Sequence, residues 1–351
     1  MIAAFLGAIG SGKSTLLAAI SGRQMSHTGS VQIEEVIAPV PDERLDWLFS
    51  RYKPKKKVNA TIDCLDLPGL SFADDHSRAA AKRLLEQVRI SELLVLVIRA
   101  FDRSGIKAEP LKELSELMTE LLLADLALVE TRIEKIQKQL HKPTQDHAKQ
   151  KAELAIHLKL RQTIESEKPI KAAVKTPEEI ELVKSLGFLT LKPVVVVFNT
   201  AENNPAQTFD TTGMLDKVVP VISVCAEIDY EISQLDEASK ADFMKDLGIS
   251  EPAVNKFVKS CYSALGLITF LTIGDEQARA WPIKAGTTAV EAAGKIHSDI
   301  ARGFIRAETM HFDDLKKLGD EKAVKAAGKM RLEGKNYTIQ DGDVILFRFN
   351  V

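Results

Sequence analysis

The run Gly7–Ser14 is the sequence feature that most restricts how this chain can fold. It reads Gly7-Ala8-Ile9-Gly10-Ser11-Gly12-Lys13-Ser14 and fits the pattern G-x-x-x-x-G-K-[ST] at every position. An apolar stretch, Ile2–Leu6, precedes it, and a helix-like stretch begins at Lys13. Glycines let successive backbone N–H groups turn inward around phosphates, and the start of the following helix adds the positive end of its dipole. The pattern therefore predicts a strand–loop–helix unit that holds the phosphates of a nucleotide.

The residues of this loop and of a second motif have distinct expected roles. Lys13 would reach the β- and γ-phosphates, and the Ser14 hydroxyl would coordinate Mg²⁺. A strand-like run ends in Asp66-Leu67-Pro68-Gly69, a D-x-x-G motif in which Asp66 would hold Mg²⁺ through water and the Gly69 N–H would sense the γ-phosphate. We expect Lys13, Asp66 and Gly69 to be catalytic and Ser14 and Asp66 to bind the metal. The expected phosphate contacts are Gly7, Ala8, Ile9, Gly10, Ser11, Gly12, Lys13, Ser14 and Thr15.

Composition excludes several classes of protein. The chain has 351 residues with 47 Lys and Arg against 49 Asp and Glu, so it is not a polycation that coats nucleic acid. Its 45% apolar content is enough for real hydrophobic cores. Cys64, Cys225 and Cys261 show no paired spacing, which argues against disulfide partners and a zinc site. No apolar run approaches the roughly 18 residues of a membrane span, so we expect a soluble cytoplasmic protein.

Further apolar runs predict the fold class. Strand candidates alternate with helix-like stretches, as expected for an α/β doubly wound, mostly parallel sheet of the P-loop type. Pro193–Asn199 is continuously apolar up to its last residue and rich in β-branched valine, which is typical of a strand buried on both faces of a parallel sheet. The other candidates are Val58–Leu65, Leu93–Ile98 and Val218–Cys225.

A helical hairpin is expected as an insertion in this sheet domain. Apolar residues with heptad spacing predict a coiled-coil seam, and they are Leu126, Val129, Ile133, Ile136 and Leu140. The stretch from His141 to His147 then breaks the helix before a charged helical pattern resumes. Two ordinary surface helices are the alternative reading of this region.

The last part of the chain predicts a small α+β domain. Short β-like pieces surround a helix-like run, Ala289–Ile300, and they are Ile268–Ile273, Arg279–Pro282, Asn336–Ile339 and Val344–Asn350. We therefore expect a P-loop nucleotide-binding domain over residues 1–110 and 188–267. The helical hairpin would occupy residues 111–187 and the C-terminal domain residues 268–351.

A base-contacting loop is expected after the strand that ends at Asn199. Guanine-specific P-loop proteins carry N-K-x-D there, with the Asp accepting hydrogen bonds from guanine N1–H and N2–H₂. This chain has Asn199-Thr200-Ala201-Glu202, so the Lys is absent and the Asp is replaced by a longer Glu. Asn199 can still hydrogen-bond N7 of either purine. The expected base contacts are Asn199, Thr200, Glu202, Cys225 and Ala226.

With these elements in this order, the chain resembles the YchF-type Obg-like ATPase family over nearly its whole length. The resemblance includes N-x-x-E at Asn199–Glu202, the hairpin, and the Val40–Asp46 stretch. The C-terminal part is similar to the family's TGS domain, a β-grasp module, at Arg279-Ala280-Trp281, Ala292–His297, Gly303–Ala307 and Asp341-Gly342-Asp343-Val344. The resemblance implies ATP preferred over GTP, slow hydrolysis, and association with ribosomes.

Departures from the family pattern mark this chain as a divergent member. The family usually has Asn where this chain has Gly10, and that Asn can help bind an activating monovalent cation. Like the family, the chain carries an apolar residue, Leu70, where other P-loop proteins place a water-positioning glutamine. Residues 24–37 are shorter than the family's first switch, and Ser71–Arg78 lacks the glycines of its second switch. We expect the nucleotide-binding machinery to be kept and the switch and hydrolysis machinery to be partly rewritten.

Three functions are compatible with these features. The first is a regulatory ATPase that binds Mg²⁺ and ATP, or GTP, and associates with the ribosome. The second is a nucleotide-binding scaffold with negligible hydrolysis, and the third is a P-loop kinase of small molecules. The basic cluster Lys53-Pro54-Lys55-Lys56-Lys57 is either a solvated loop or a contact to the phosphates of ribosomal RNA.

Overall fold

A computed structural model of the chain describes residues 1–24, 32–103, 105–140, 147–249 and 251–350. The chain divides into two compact units. The first contains Met1–Ile37 and Asp63–Phe257, and the second contains Ala38–Ile62 and the chain from Val258 onward. Neither unit is a single continuous stretch of chain.

Twelve strands and thirteen α-helices are described. The strands are β1 (Ile2–Leu6), β2 (Glu34–Pro39), β3 (Lys56–Val58), β4 (Thr61–Asp66), β5 (Leu93–Ala100), β6 (Val194–Thr200), β7 (Val221–Val224), β8 (Leu267–Ile273), β9 (Gln277–Lys284), β10 (Phe304–His311), β11 (Arg331–Glu333) and β12 (Asp343–Phe349). The helices are α1 (Lys13–Ser21), α2 (Glu43–Tyr52), α3 (Asp75–Gln87), α4 (Pro110–Leu140), α5 (His147–Glu165), α6 (Pro177–Lys184), α7 (Ala226–Gln234), α8 (Glu237–Asp246), α9 (Ala253–Ala264), α10 (Ala289–Ile296), α11 (Ser298–Arg302), α12 (Phe312–Leu318) and α13 (Glu321–Ala326).

The first unit is built on a six-stranded sheet with the order β2-β4-β1-β5-β6-β7. Every pairing from β4 to β7 is parallel. Almost all of β5 and β6 is buried, because helices cover both faces of a parallel sheet. The expected α/β fold with a P-loop-type sheet is confirmed, and the parallel strands bring the loops after β1, β4, β5 and β6 to one edge.

The two long helices α4 and α5 pack against each other through an apolar seam. Val129, Ile133 and Ile136 of α4 are buried, as the heptad spacing predicts. The buried partner residues on α5 are Ile156, Leu160 and Ile164, and Leu154 packs against the same cluster while partly exposed. The expected break between the helices falls largely on residues 141–146, outside the described ranges.

A buried carboxylate, Asp125, anchors α4 to the body of the first unit. It accepts hydrogen bonds from the backbone N–H groups of Leu189 and Thr190, at 3.0 and 2.8 Å, and from the Thr190 hydroxyl at 2.9 Å. The Arg89 guanidinium completes the set at 2.7 Å. Arg89 follows α3 and Leu189 precedes β6, so one side chain connects three separate elements.

The second unit contains a mixed six-stranded sheet with the order β11-β10-β12-β8-β9-β3. The pairs β8/β9 and β10/β12 are antiparallel, and β8/β12 and β3/β9 are parallel. Helix α10 packs its alanine face on this sheet, around the aromatic residues Phe270, Trp281 and Phe347. The expected C-terminal β domain is therefore present.

Several expected elements differ from the structure. The basic segment at Lys56–Val58 is an edge strand of the second sheet, so residues 38–62 group with the C-terminal unit and not with the P-loop domain to which we assigned them. The expected strand Val58–Leu65 is divided at Asn59 and Ala60, because the Ala60 carbonyl turns to accept a hydrogen bond from the Val40 N–H. The expected strand Asn336–Ile339 forms only an isolated bridge to Thr288.

In the described part of the chain, no helix combines the length and apolar character that crossing a membrane requires.

We predict that Asp125→Ala lowers the free energy of unfolding by about 3–5 kcal/mol, because it removes the acceptor of the Leu189 and Thr190 N–H groups and leaves Arg89 with only its more exposed carboxylate partner. The measurement is a denaturant titration followed by circular dichroism. Glu86→Ala is the matched control, since Glu86 also pairs with Arg89 but is 46% exposed. Its removal should cost less than about 1 kcal/mol. Equal effects of the two substitutions would contradict the anchoring role of Asp125.

Candidate functional site

The glycines of the loop Gly7–Gly12 are required by its geometry. Gly10 and Gly12 have φ values of +78° and +89°, in the left-handed region that favours glycine. A Cβ on Gly12 would lie 2.0 Å from the side-chain nitrogen of Asn199, and one on Gly7 would lie 2.2 Å from the Val97 carbonyl oxygen. The loop can therefore pack closely against β5 and β6 only with glycine at these positions.

Lys13 is held inside the loop that it follows. Its ammonium group donates hydrogen bonds to the carbonyls of Gly7 and Ala8, at 3.0 and 3.1 Å, and the residue is 5% exposed. Burial lowers the pKa of Lys13 to about 8, while the nearby carboxylates of Asp66 and Glu113 act in the opposite direction. Burial removes the Lys13 ammonium from water, and an anionic group bound in the loop would compensate this desolvation.

Ser14 and Asp66 come together as the two motifs predict. The Ser14 hydroxyl donates to one carboxylate oxygen of Asp66 at 2.7 Å. The other carboxylate oxygen is buried and has no hydrogen-bond partner among the described residues. Burial raises the pKa of Asp66, and the hydrogen bond from Ser14 and the charge of Lys13 partly offset this effect. A hydroxyl and an under-coordinated carboxylate side by side fit a hard divalent cation such as Mg²⁺.

The D-x-x-G segment is attached directly to the phosphate loop. The Leu70 N–H donates to the Gly7 carbonyl at 3.0 Å, and Ala8 and Leu70 form a parallel bridge. A Cβ on Gly69 would lie 2.5 Å from the Ile9 Cα, so glycine is needed for this approach. The Leu70 side chain is 3% exposed and packs in the core of the first unit. It has no polar atom with which to orient a water molecule.

Two cavities meet at the helical end of the loop. The smaller one, of about 250 Å³, is lined by Gly10, Gly12, Lys13, Ser14, Thr15, and the segment from Asp66 to Gly69. The larger one, of about 880 Å³, also touches Gly12 and Thr15 and extends to Asn199, Glu202 and Cys225. The first is bounded by the residues that the two motifs predict for phosphates and a cation, and the second is large enough for a nucleoside.

Asn199 connects the phosphate loop to the loop that follows β7. Its side-chain N–H₂ donates to the Ser11 carbonyl at 3.0 Å, and its side-chain oxygen accepts from the Ala226 N–H at 3.0 Å. Thr200 is buried, and its hydroxyl donates to the Pro205 carbonyl. Glu202 is exposed on the wall of the larger cavity, and Cys225 is buried in the same wall. Of the predicted base contacts, the Glu202 side chain is the one that is exposed toward a ligand.

Some residues at this site were not expected from the sequence. Asp102 and Lys107, in the segment after β5, line the larger cavity. Glu113, in the first turn of α4, accepts a hydrogen bond from the Arg99 N–H at 3.3 Å, and burial raises its pKa. No motif marks these positions. Only the sheet topology could have indicated them, because β5 is parallel to β1 and the end of β5 must therefore lie beside the phosphate loop.

Two lysines of the basic cluster are engaged in the second unit. Lys55 pairs with Glu276 and Lys57 with Asp46, each at 2.6 Å. These two carboxylates pair with two of the four lysines in the cluster, for which the sequence left a solvated loop and a contact to ribosomal RNA as alternatives.

Comparisons with known proteins agree with this site. A family model named for the C-terminal region of YchF GTPases, and described as a protein of unknown function, matches residues 267–350. A model described as ABC transporter matches residues 1–133, which include the phosphate loop.

Similar proteins match nearly the whole chain. "Ribosome-binding ATPase YchF" of Bacillus subtilis is 38% identical over 97% of this chain and 96% of its own length. The protein of the same name from Haemophilus influenzae is 35% identical with the same coverage. "Obg-like ATPase 1" of Oryza sativa is 35% identical over 89% of this chain and 82% of its own length.

A solved structure extends the similarity to three dimensions. The YchF GTPase of Schizosaccharomyces pombe is 28% identical, with a TM-score of 0.81 over 99% of this chain and 97% of that one. Sequence and fold thus agree along the whole chain, in the phosphate loop as in the C-terminal β domain. The chain belongs to the YchF family of P-loop nucleotide-binding proteins.

Proposed function

We propose that this chain is a slow, Mg²⁺-dependent ATPase that prefers ATP to GTP and acts in the cytoplasm together with the ribosome. The observation that carries the proposal is the convergence of Lys13, Ser14 and Asp66 in the smaller cavity. This cavity shares Gly12 and Thr15 with the larger one, which is bounded by Asn199 and Glu202. The relatives named as ribosome-binding ATPases support the partner and the nucleotide.

The proposed chemistry rests on charge compensation around the phosphates. The N–H groups of Gly7–Gly12 and the Lys13 ammonium would bind the β- and γ-phosphates and stabilise the charge that develops during transfer to water. Mg²⁺, when bound by Ser14 and Asp66, supplies further neutralisation of the phosphate oxygens. Gly69 packs closely against Ile9, and its N–H would contact the γ-phosphate.

The proposed base preference rests on Glu202. Guanine presents two adjacent donors, N1–H and N2–H₂, which a correctly placed carboxylate can accept together, whereas adenine has no N1–H. One additional methylene group moves the Glu202 carboxylate away from the position of the Asp in N-K-x-D. Guanine would then leave a donor unpaired, and this is costly in a binding site.

A nucleotide-binding scaffold with negligible hydrolysis is the second candidate, and one observation favours it. Leu70 stands in the water-positioning place and is buried in the core, so it cannot assist attack on the γ-phosphate. Hydrolysis in this chain must therefore depend on other groups, and its rate decides between the two candidates.

We predict that Lys13→Ala weakens Mg²⁺-ATP binding roughly 30-fold or more, because it removes a buried cation that would pair with phosphate. Calorimetric titration of the purified protein with ATP and GTP measures the effect. Lys149→Ala is the control, since it removes an exposed lysine from α5 in the same unit. Unaltered affinity in the Lys13 variant would contradict the phosphate assignment.

We predict that Glu202→Asp tightens Mg²⁺-GTP binding by about tenfold, because the shorter side chain restores a carboxylate that can accept both guanine donors. ATP affinity should change little. Glu202→Gln, which keeps the length and removes the charge, should not show the gain. The assignment of Glu202 fails if the ratio of the ATP and GTP dissociation constants is the same in all three proteins.

We predict that the chain releases phosphate from Mg²⁺-ATP above background and that Lys13→Ala abolishes this release, because the phosphates then lose their buried cation. The assay is run with and without purified ribosomes, and sedimentation records how much protein they bind. ATP binding with phosphate release at background in both conditions would favour the scaffold. A protein that remains in the supernatant at every nucleotide concentration would refute the ribosomal partner.

A further inference from the structure

An arginine on the segment after β5, Arg103, lies directly against the phosphate loop. A Cβ built on Gly10 would lie 1.9 Å from a terminal guanidinium nitrogen of Arg103 and 3.2 Å from its central carbon. These distances place the guanidinium in the space that a side chain at position 10 would fill. Gly10 and Arg103 therefore depend on each other sterically, because the cation can reach the loop only where the loop has no side chain.

The backbone around Arg103 is held by several hydrogen bonds. The Arg103 N–H donates to the Ile106 carbonyl at 3.1 Å, and the Ile106 N–H donates back at 2.8 Å. The Ala108 N–H donates to the Asp102 carboxylate at 2.9 Å, and the Arg99 guanidinium donates to the Phe101 carbonyl at 2.9 Å. The backbone at Arg103 is thus fixed by hydrogen bonds to its described neighbours.

Arg103 differs from the neighbouring arginines in its partners. Arg99 donates to backbone carbonyls, and Arg89 and Arg78 pair with carboxylates in the first unit. Among the described residues, no carboxylate lies within ion-pair distance of Arg103 and no acceptor takes a hydrogen bond from its guanidinium. The Arg103 guanidinium is permanently charged and carries five N–H donors. It therefore lies beside the phosphate loop with these donors available to a ligand.

We propose that Arg103 is a phosphate-contacting residue, which donates hydrogen bonds to the polyphosphate of the bound nucleotide alongside Lys13. This proposal deepens the proposed function and rests on it. Phosphate is the ligand chemistry that fits, because a guanidinium pairs with two phosphate oxygens at once and a charge-assisted contact of this kind is strong. Asp102 and Lys107 of the same segment line the larger cavity, and Arg103 lies against Gly10 of the loop, so the segment borders the larger cavity as well as the phosphate loop.

The test compares adenine nucleotides that carry one, two or three phosphates. Mg²⁺-free AMP and the Mg²⁺ complexes of ADP and ATP are titrated calorimetrically into the full chain and into Arg103→Ala. We expect the substitution to weaken ADP and ATP binding roughly tenfold to 100-fold, as for loss of a charge-assisted hydrogen bond. AMP affinity should stay unchanged, and Arg103→Lys should recover part of the loss.

Controls separate this proposal from the proposed function. Arg161→Ala removes an arginine that pairs with Glu165 on α5, and it should leave every affinity unchanged. Equal ATP affinity in wild type and Arg103→Ala would overturn the role of Arg103 while leaving the nucleotide site intact. A loss that is the same for AMP and ATP would overturn it as well, because the guanidinium would then act on the nucleoside. Failure of the wild-type chain to bind any of the three nucleotides would overturn both proposals.

Discussion

The side-chain amide of Asn199 fixes the phosphate loop and the base-side loop at a set separation. An amide can donate and accept at once, and here it donates to Ser11 and accepts from Ala226, each at 3.0 Å. Asn199 is 5% exposed, so both hydrogen bonds are shielded from water. The amide fits because Gly12 has no Cβ. The end of β6, the start of α1 and the start of α7 are therefore positioned by one group, on which the two cavities jointly depend.

Much of the candidate site could be predicted from the sequence because its residues belong to short motifs. The spacing of Lys13 and Ser14 is fixed by the loop itself, and Asp66 is placed by a strand that must be parallel to β1. Arg103 and Glu113 could not be predicted, since they reach the loop through the pairing of β5 with β1 and no local pattern records that pairing. Functional residues within one short motif can thus be predicted from the sequence, whereas those brought together by strand pairing cannot.

The fold could be predicted where the apolar periodicity is strong. The prediction is wrong where strand pairing between distant parts of the chain decides the structure. The strands β1, β5 and β6 and the seam of α4 follow their apolar patterns closely. By contrast, Lys56–Val58 reads as a basic loop and becomes a strand only because β9 offers it a free edge. The strand β10 lacks a clear alternating pattern, because a bulge between Phe304 and Arg306 shifts its register.

The C-terminal unit is assembled from pieces of chain that a ribosome makes at different times. Its early piece supplies Trp47, which packs edge-on against Phe312, and Arg44, which pairs with Asp341. About 200 residues separate the end of this piece from the next residue of the unit. A ribosome adds about 5–20 residues per second, so the rest of the unit is made on the order of ten to forty seconds after the early piece. Folding of the nascent chain thus cannot follow strict N-to-C order, and any polypeptide cut short before β9 leaves this helix and strand without a sheet to join.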